Sequence, residues 1–234
     1  MTGATGNLYC GLHEFGDMGF LLHFLRPEDL FIDVGANVGS FSVLAAGVVG
    51  AKCLALEAVP STFADLTRNI RVNRLEELVR PVCVAAGPGS GRIRFSVDRG
   101  PQNGPVGESY SGASTEVPMM SLDDILEVNS PTLLKVDAEG SDGQVLEGAS
   151  QTLRSPSLKA VLVEEDSAAI TSMMIEAGFV RASYAPLTRR LKITESGRTQ
   201  SAGQTINNLW IRDLRFIHHR CDSAREFNVY GQTF

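Results

Sequence analysis

The segment Asp33-Val34-Gly35-Ala36-Asn37-Val38-Gly39 constrains the fold of this chain more than any other. It follows Leu30-Phe31-Ile32-Asp33-Val34, a nearly continuous apolar run of the kind that makes a strand buried on both faces. A small-residue stretch at 40–46 comes next and reads as a helix. Strand, glycine turn and helix in that order place the turn at the carboxyl edge of a sheet, where ligands bind in open α/β folds. Gly35 removes a Cβ where the chain must turn sharply and approach a ligand closely. Gly39 lets the helix pack tightly, and the first N–H groups of that helix suit a carboxylate.

The rest of the chain continues the alternation. Cys53-Leu54-Ala55-Leu56-Glu57 reads as a second strand, and 79–85, 132–137, 159–164, 179–184 and 208–212 as five more, with 191–194 a candidate for one extra. A helix starts near Ser61 or Thr62, where Thr62 and Asp65 have capping-box spacing, and Phe63, Leu66 and Ile70 form its apolar face. Ser121 and Asp124 repeat that spacing before a short helix, Val145, Leu146, Ala149 and Leu153 mark another, 170–177 stops at Gly178, and 214–227 is a tail helix. The pattern predicts a single domain over 1–234, with helices on both faces of a mostly parallel seven-stranded sheet. Residues 98–118 break the rhythm: seven glycines and prolines, from Gly100 to Pro118, predict irregular backbone, either a lid loop over substrate or a surface excursion. Residues 213–234 are left as a C-terminal tail.

Composition narrows the function classes. A formal net charge of −6 argues against a nucleic-acid partner, which needs a basic face, and Arg189, Arg190 and Lys192 read as solvated surface. No apolar run reaches the roughly 18–20 residues of a membrane span. Met1-Thr2-Gly3-Ala4-Thr5-Gly6 lacks the basic start and apolar stretch of a secretory signal, so no membrane partner and a cytoplasmic location are expected. Cys10, Cys53, Cys83 and Cys221 form no C-x-x-C pair; Cys53 and Cys83 read as small buried hydrophobes.

The glycine spacing is G-x-x-x-G rather than the G-x-G-x-x-G of dinucleotide sites. With Asp33 just before it, it suits a cofactor that lacks pyrophosphate and carries an amino-acid end, its carboxylate at the turn and its ammonium near an acid; S-adenosylmethionine fits. Glu57, at the end of the second strand, can accept hydrogen bonds from both ribose hydroxyls. Ala85-Ala86-Gly87 can flank an adenine with small groups. The expected cofactor set is therefore Asp33, Gly35, Ala36, Asn37, Gly39, Glu57, Ala58, Ala85 and Asp137. Lys135-Val136-Asp137-Ala138-Glu139-Gly140 ends the fourth strand and brings Asp137 and Glu139 to the same cleft, where a carboxylate beside a substrate hydroxyl can act as general base. The plainer alternative is that Asp137 only caps the next helix. Asp137, Glu139 and Glu164 offer oxygen ligands of the type magnesium or calcium takes, but spacing ties no histidine or asparagine to them, so no metal is expected. Asn207 and Asn208 are ligand contacts or turn residues, and His218 and His219 have no role.

These blocks resemble the FkbM family of methyltransferases. The resemblance rests on Phe31-Ile32-Asp33-Val34-Gly35-Ala36-Asn37-Val38-Gly39, on Glu57, and on Leu134-Lys135-Val136-Asp137-Ala138-Glu139-Gly140 with Val145-Leu146-Glu147-Gly148-Ala149. It covers about 28–180, including Ser121-Leu122-Asp123-Asp124 and the acid Glu164. It implies a class I methyltransferase (Rossmann-like) three-layer α/β/α fold, S-adenosylmethionine as donor, and O-methylation of a sugar or secondary metabolite. It also implies that residues 1–27 fold over substrate and cofactor, where His13 is either a general base or structural. Two positions depart from the family pattern: Ala58 stands where proline is usual, with Pro60 following, and Ser141-Asp142 stands where glutamate is frequent. Three rivals remain: an N- or C-methyltransferase on the same scaffold, an NAD-dependent oxidoreductase disfavoured by the glycine spacing, and a catalytically silent ligand-binding module.

Overall fold

The computed structural model describes residues 11–126, 130–194, 207–229 and 231–234. Its strands, in chain order, are β1 (Leu30–Val34), β2 (Lys52–Leu56), β3 (Val79–Val82), β4 (Ala85–Ala86), β5 (Gly91–Ser96), β6 (Ser114–Met120), β7 (Leu133–Val136), β8 (Ala160–Val163), β9 (Val180–Ala185), β10 (Arg190–Ile193), β11 (Asn208–Ile211), β12 (Asn228–Val229) and β13 (Gln232–Thr233). The helices are α1 (Phe15–Phe24), α2 (Ser40–Leu44), α3 (Pro60–Val72), α4 (Leu122–Leu126), α5 (Asp142–Glu147), α6 (Ser150–Arg154), α7 (Ala168–Glu176) and α8 (Leu214–Asp222).

One eight-stranded sheet runs β10-β9-β11-β8-β7-β1-β2-β3. Its five strands from β8 to β3 are parallel, and β11, β9 and β10 are added antiparallel. The expected strand count of seven is therefore one short. The extra strand, β10, is an edge strand that buries only Leu191 deeply, so the alternation marking it in sequence is one residue deep.

Side chains alternate across β1 into two apolar layers. Phe31 joins Phe20, Phe24, Cys53 and Leu133 on one face, while Ile32 and Val34 join Leu54, Leu134, Val145 and Trp210 on the other. Each fully buried large apolar side chain contributes roughly 1.5–3 kcal/mol. The position that does not fit is Asp33: it shares a face with the first layer, and in register it stands beside Lys135 of β7.

Several local expectations change. Helix α1 has no polar face, since every residue from Gly16 to Phe24 is buried, so it carries no 3.6-residue signal. No described residue of 11–27 lines the cleft, so that part of the segment forms core rather than a cover. Helix α3 opens at Pro60 without a side-chain cap, and Asp65 pairs with Arg68 at 2.8 Å instead of completing a box with Thr62. The other capping position holds: Ser121 Oγ accepts from the Asp124 N–H at 3.1 Å. The 98–118 segment is only partly irregular. Strand β6 begins inside it, at Ser114, and pairs with β5 and β4 in a second, three-stranded sheet. Strand β5 was not anticipated because Gly91-Arg92-Ile93-Arg94-Phe95-Ser96 is half polar and exposed at its start. Cys53 is buried, but Cys83 lies past the end of β3 and is only half-buried. Among the described residues no helix is long and apolar enough to cross a membrane.

Candidate functional site

A cleft enclosing about 780 Å³ of non-protein space, open solvent included, lies at the carboxyl edge of β1, β2 and β7. Gly35 and Asn37 form one wall, Glu57, Ala58 and Thr62 a second, and Asp137, Glu139, Ser141 and Gln144 a third. The remaining wall is apolar: Val84, Ala85 and Ala86 from the main chain after β3, with Ile93, Phe95 and Met119 from the small sheet. Between β5 and β6 the chain arches back, so that Gly100, Asn103 and Pro105 also face the cleft. The arch is fixed by Ser96, whose main-chain N–H donates to the Gly104 carbonyl (3.0 Å) and whose Oγ accepts from the Gly104 N–H (3.1 Å).

The glycine loop is tied off internally. The N–H groups of Gly35 and Ala36 both donate to the Leu56 carbonyl (3.0 and 2.9 Å), that of Val38 to Asn37 Oδ1 (2.8 Å), and that of Gly39 to the Ala36 carbonyl (2.8 Å). The Asn37 N–H donates to Glu57 Oε2 at 3.0 Å. The amides of residues 35–39 therefore hold the loop itself. Gly39 packs closely: a Cβ there would lie 2.6 Å from Leu66 Cδ1 of α3.

Glu57 links the two turns that frame the cleft. Its Oε1 accepts the Val59 N–H at 2.8 Å while Oε2 takes the Asn37 amide, so the carboxylate cannot swing away. Burial pushes its pKa up, opposed by the hydrogen bonds from Val59 and Asn37. Each oxygen keeps a second lone pair for a ligand hydroxyl.

Beneath the cleft sits a buried charge cluster. Lys135 Nζ lies 2.7 Å from Asp137 Oδ2, and the two side chains are 3% and 29% exposed. Burial works against the Lys135 charge, but the carboxylates of Asp137 and Asp33 outweigh it and raise its pKa. Asp33 is wholly buried; its Oδ2 accepts from Ser42 Oγ at 2.6 Å, and burial raises its pKa against the pull of Lys135. For Asp137 burial also disfavours the charge, but Lys135 and a hydrogen bond with Glu164 win, so its carboxyl lies below the usual range. Burial and the neighbouring Asp137 carboxylate push Glu164 up to about 7. Burial and Asp137 likewise raise Glu139, whose backbone is left-handed at φ 47°. Asp142, at the start of α5, accepts the N–H groups of Ala138 (2.8 Å) and Glu165 (2.9 Å), clamping the loops after β7 and β8 together.

Of the expected residues, the fold brings Gly35, Asn37, Glu57, Ala58, Ala85, Asp137 and Glu139 into one cleft. Asp33, Ala36 and Gly39 lie behind it: the Asp33 side chain alternates inward to Lys135 rather than outward to a ligand. His13 pairs with Glu14 at 3.0 Å and does not line the cleft. Asn207 bonds Asp17 and Glu14, and Asn208 donates to the carbonyls of Val163, Glu164 and Glu165, so both have partners within the chain. Sequence reasoning gave Lys135 no role; the arch falls within the 98–118 segment that it read as either a lid loop or a surface excursion, without naming Asn103. The signal for Lys135 was a cation inside the apolar run Leu133-Leu134-Lys135-Val136, which demands a buried counter-charge. Nothing local marked Asn103 or Phe95. No group of three or more His, Cys, Asp or Glu side chains among the described residues is arranged to hold a metal ion.

Comparison with known proteins gives the following. The family described as Methyltransferase FkbM domain matches residues 33–184. Hexuronic acid methyltransferase AglP of Haloferax volcanii is 30% identical over 162 residues, which are 67% of this chain and 66% of that protein. The crystal structure of methyltransferase FkbM from Methylobacillus flagellatus superposes with a TM-score of 0.53 at 16% identity, covering 80% of this chain and 44% of the other. That likeness establishes a shared Rossmann-like fold. The matched regions thus span about two thirds of the curated relative and under half of the solved chain.

Proposed function

The chain belongs to the FkbM methyltransferase domain family, and on that footing we propose that it is an S-adenosylmethionine-dependent O-methyltransferase acting on a hydroxyl of a sugar or similar small metabolite. The observation that carries this reading is that Glu57, Asp137 and Glu139 line a single cleft together with the apolar side chains of Val84, Ile93, Phe95 and Met119. The residues fit two of the cofactor's chemistries. Glu57 suits the ribose diol, and Ala58, Ala85 and Phe95 suit a planar base. When bound, the cofactor supplies an electrophilic methyl group on a cationic sulfur.

The protein's own part is alignment and proton removal. Gly35 and Asn37, locked by the loop amides, fix one side of the cleft, and the clamp through Asp142 fixes the other. Asp137, kept ionised by Lys135, accepts a hydrogen bond from the acceptor hydroxyl, and Glu139 orients a neighbouring hydroxyl. The arch at Gly100, Asn103 and Pro105 covers the bound molecules as a lid. The relative named for hexuronic acid supports a sugar as the acceptor class.

Titration calorimetry with S-adenosylmethionine, with NAD as control, tests the reading. Micromolar binding of the first and none of the second is expected. Absence of S-adenosylmethionine binding by folded protein would overturn it. Mass analysis of products from a panel of sugars then separates oxygen from nitrogen or carbon acceptors.

A further inference from the structure

Asp137 and Glu164 follow adjacent parallel strands. The β7–β8 pairing runs from Leu133↔Ala160 to Val136↔Val163, so the next residues emerge side by side at the carboxyl edge. Their carboxyl groups are hydrogen-bonded to each other. Their exposure differs. Lys135 is 3% exposed behind Asp137, the Asp137 side chain is 29% exposed in the cleft, and Glu164 is open to solvent. Exposure thus rises from Lys135 to Asp137 to Glu164.

From this order of exposure, and resting on the functional reading above, we propose that Asp137 and Glu164 act as one proton-accepting pair, in which Asp137 takes the proton of the acceptor hydroxyl and Glu164 delivers it to water. Glu164 is a positioning residue acting through Asp137. In the transfer, a C–O bond forms while the C–S bond breaks, the electron pair of C–S staying on sulfur. The O–H electron pair stays on oxygen, and the released proton passes to Asp137, then Glu164, then solvent.

The pairing answers a difficulty with Asp137 alone. An ammonium at 2.7 Å stabilises its carboxylate and so makes it a weak base. A second carboxyl bonded to it makes the two titrate as a unit, and the second proton leaves only against a like charge. The partial burial of Glu164 and the Asp137 charge bring that step to about 7, with Glu139 and Asp142 pushing the same way. Lys135, flanked by Asp33 and Glu14, holds the Asp137 carboxyl low. A base that titrates near the working pH is the most effective for general base catalysis.

Carbon-13 NMR of the side-chain carboxyls tests the pair without cofactor or acceptor. Glu164 is expected to titrate at about 7 with the Asp137 signal following it, and Asp137→Asn should drop Glu164 towards the ordinary value of about 4. A Glu164 midpoint near 4 in the unmodified protein, or one unmoved by Asp137→Asn, would overturn the pair. The relay is read from kcat/KM against pH, using methyl-labelled S-adenosylmethionine with D-glucose and D-glucuronate as acceptors. The profile should rise through about 7, and Glu164→Gln should lose that inflection and lower the plateau by at least about tenfold. An unchanged profile in Glu164→Gln overturns the relay while methyl transfer stands. No transfer to either sugar would count against the sugar reading, and the NMR titration would still decide the pair.

Discussion

Gly35 crosses the main chain of Asp137 so closely that a Cβ on it would lie 1.8 Å from the Asp137 carbonyl oxygen. The loop after β1 and the loop after β7 are therefore packed backbone to backbone, next to the hydrogen bond from the Asp137 N–H to the Val34 carbonyl at 3.1 Å. Gly35 also has φ +72°, which disfavours any L side chain. Gly35→Ala should destabilise the protein by about 3 kcal/mol or more, or prevent folding. Gly140→Ala is the control: φ is +86° there, but nothing lies within 4 Å, so only a backbone penalty of about 1–2 kcal/mol is expected. Thermal melts of the two variants distinguish collision from conformational strain.

Glu57→Gln keeps the size of the side chain but sets an NH₂ group against one of the two main-chain N–H groups of Asn37 and Val59. The turn it ties should loosen, and a ribose acceptor is lost. S-adenosylmethionine affinity by calorimetry should fall at least about tenfold, roughly 1.4 kcal/mol. Wild-type affinity in this variant would remove Glu57 from the cofactor site.

Lys135→Met strips the counter-charge from Asp33 and Asp137. Removing one partner of a buried pair typically destabilises by about 3–5 kcal/mol. The effect should depend on pH. Burial already raises Asp33, and without the ammonium it rises further. A carboxyl raised in the folded state contributes stability below its unfolded pKa and loses it as pH rises through the folded one. The variant should therefore melt far below the parent at pH 8 and nearer to it at pH 5, and Asp33→Asn added to it should recover part of the loss.

For Glu164 the same sign rule gives the opposite outcome for its removal. Its pKa of about 7 lies above the unfolded value of about 4.3, so its contribution fades as pH rises through 7. Above that, the parent holds two like charges side by side. Glu164→Gln should raise Tm by roughly 2–4 °C at pH 8, the shift expected for about 1 kcal/mol, and should not do so at pH 5. Greater stability with lower turnover is the pattern of a functional group.

Gly104 meets Glu139 at the tip of the arch: a Cβ there would lie 3.2 Å from both the Cβ and the carbonyl oxygen of Glu139. Gly104→Val should push the arch away from the cleft. An increase in KM of roughly tenfold with an unchanged far-UV spectrum is expected, since overpacking of one contact amounts to about 1–3 kcal/mol.

The glycine loop, Glu57, Asp137 and Glu139 were legible because strand-end chemistry is local: a buried run, then a turn residue or an acid, in consecutive positions. The mostly parallel sheet was legible for the same reason, its buried strands being nearly continuous apolar runs. The apolar wall was not, because β5 and β6 gain their order from pairing with each other rather than from their own pattern.

The sequence by itself determined which strand ends carry carboxylates and where the chain must turn. Only tertiary structure decided which way they face and what stands beside them. Asp33, read as a ligand group, alternates inward, and register across β1 and β7 gives it Lys135 as a neighbour, some hundred positions away in sequence. Register across β7 and β8 likewise sets Glu164 beside Asp137. A strand's own residues specify its two faces, but register is a property of two strands, and the electrostatics of this cleft follow from register.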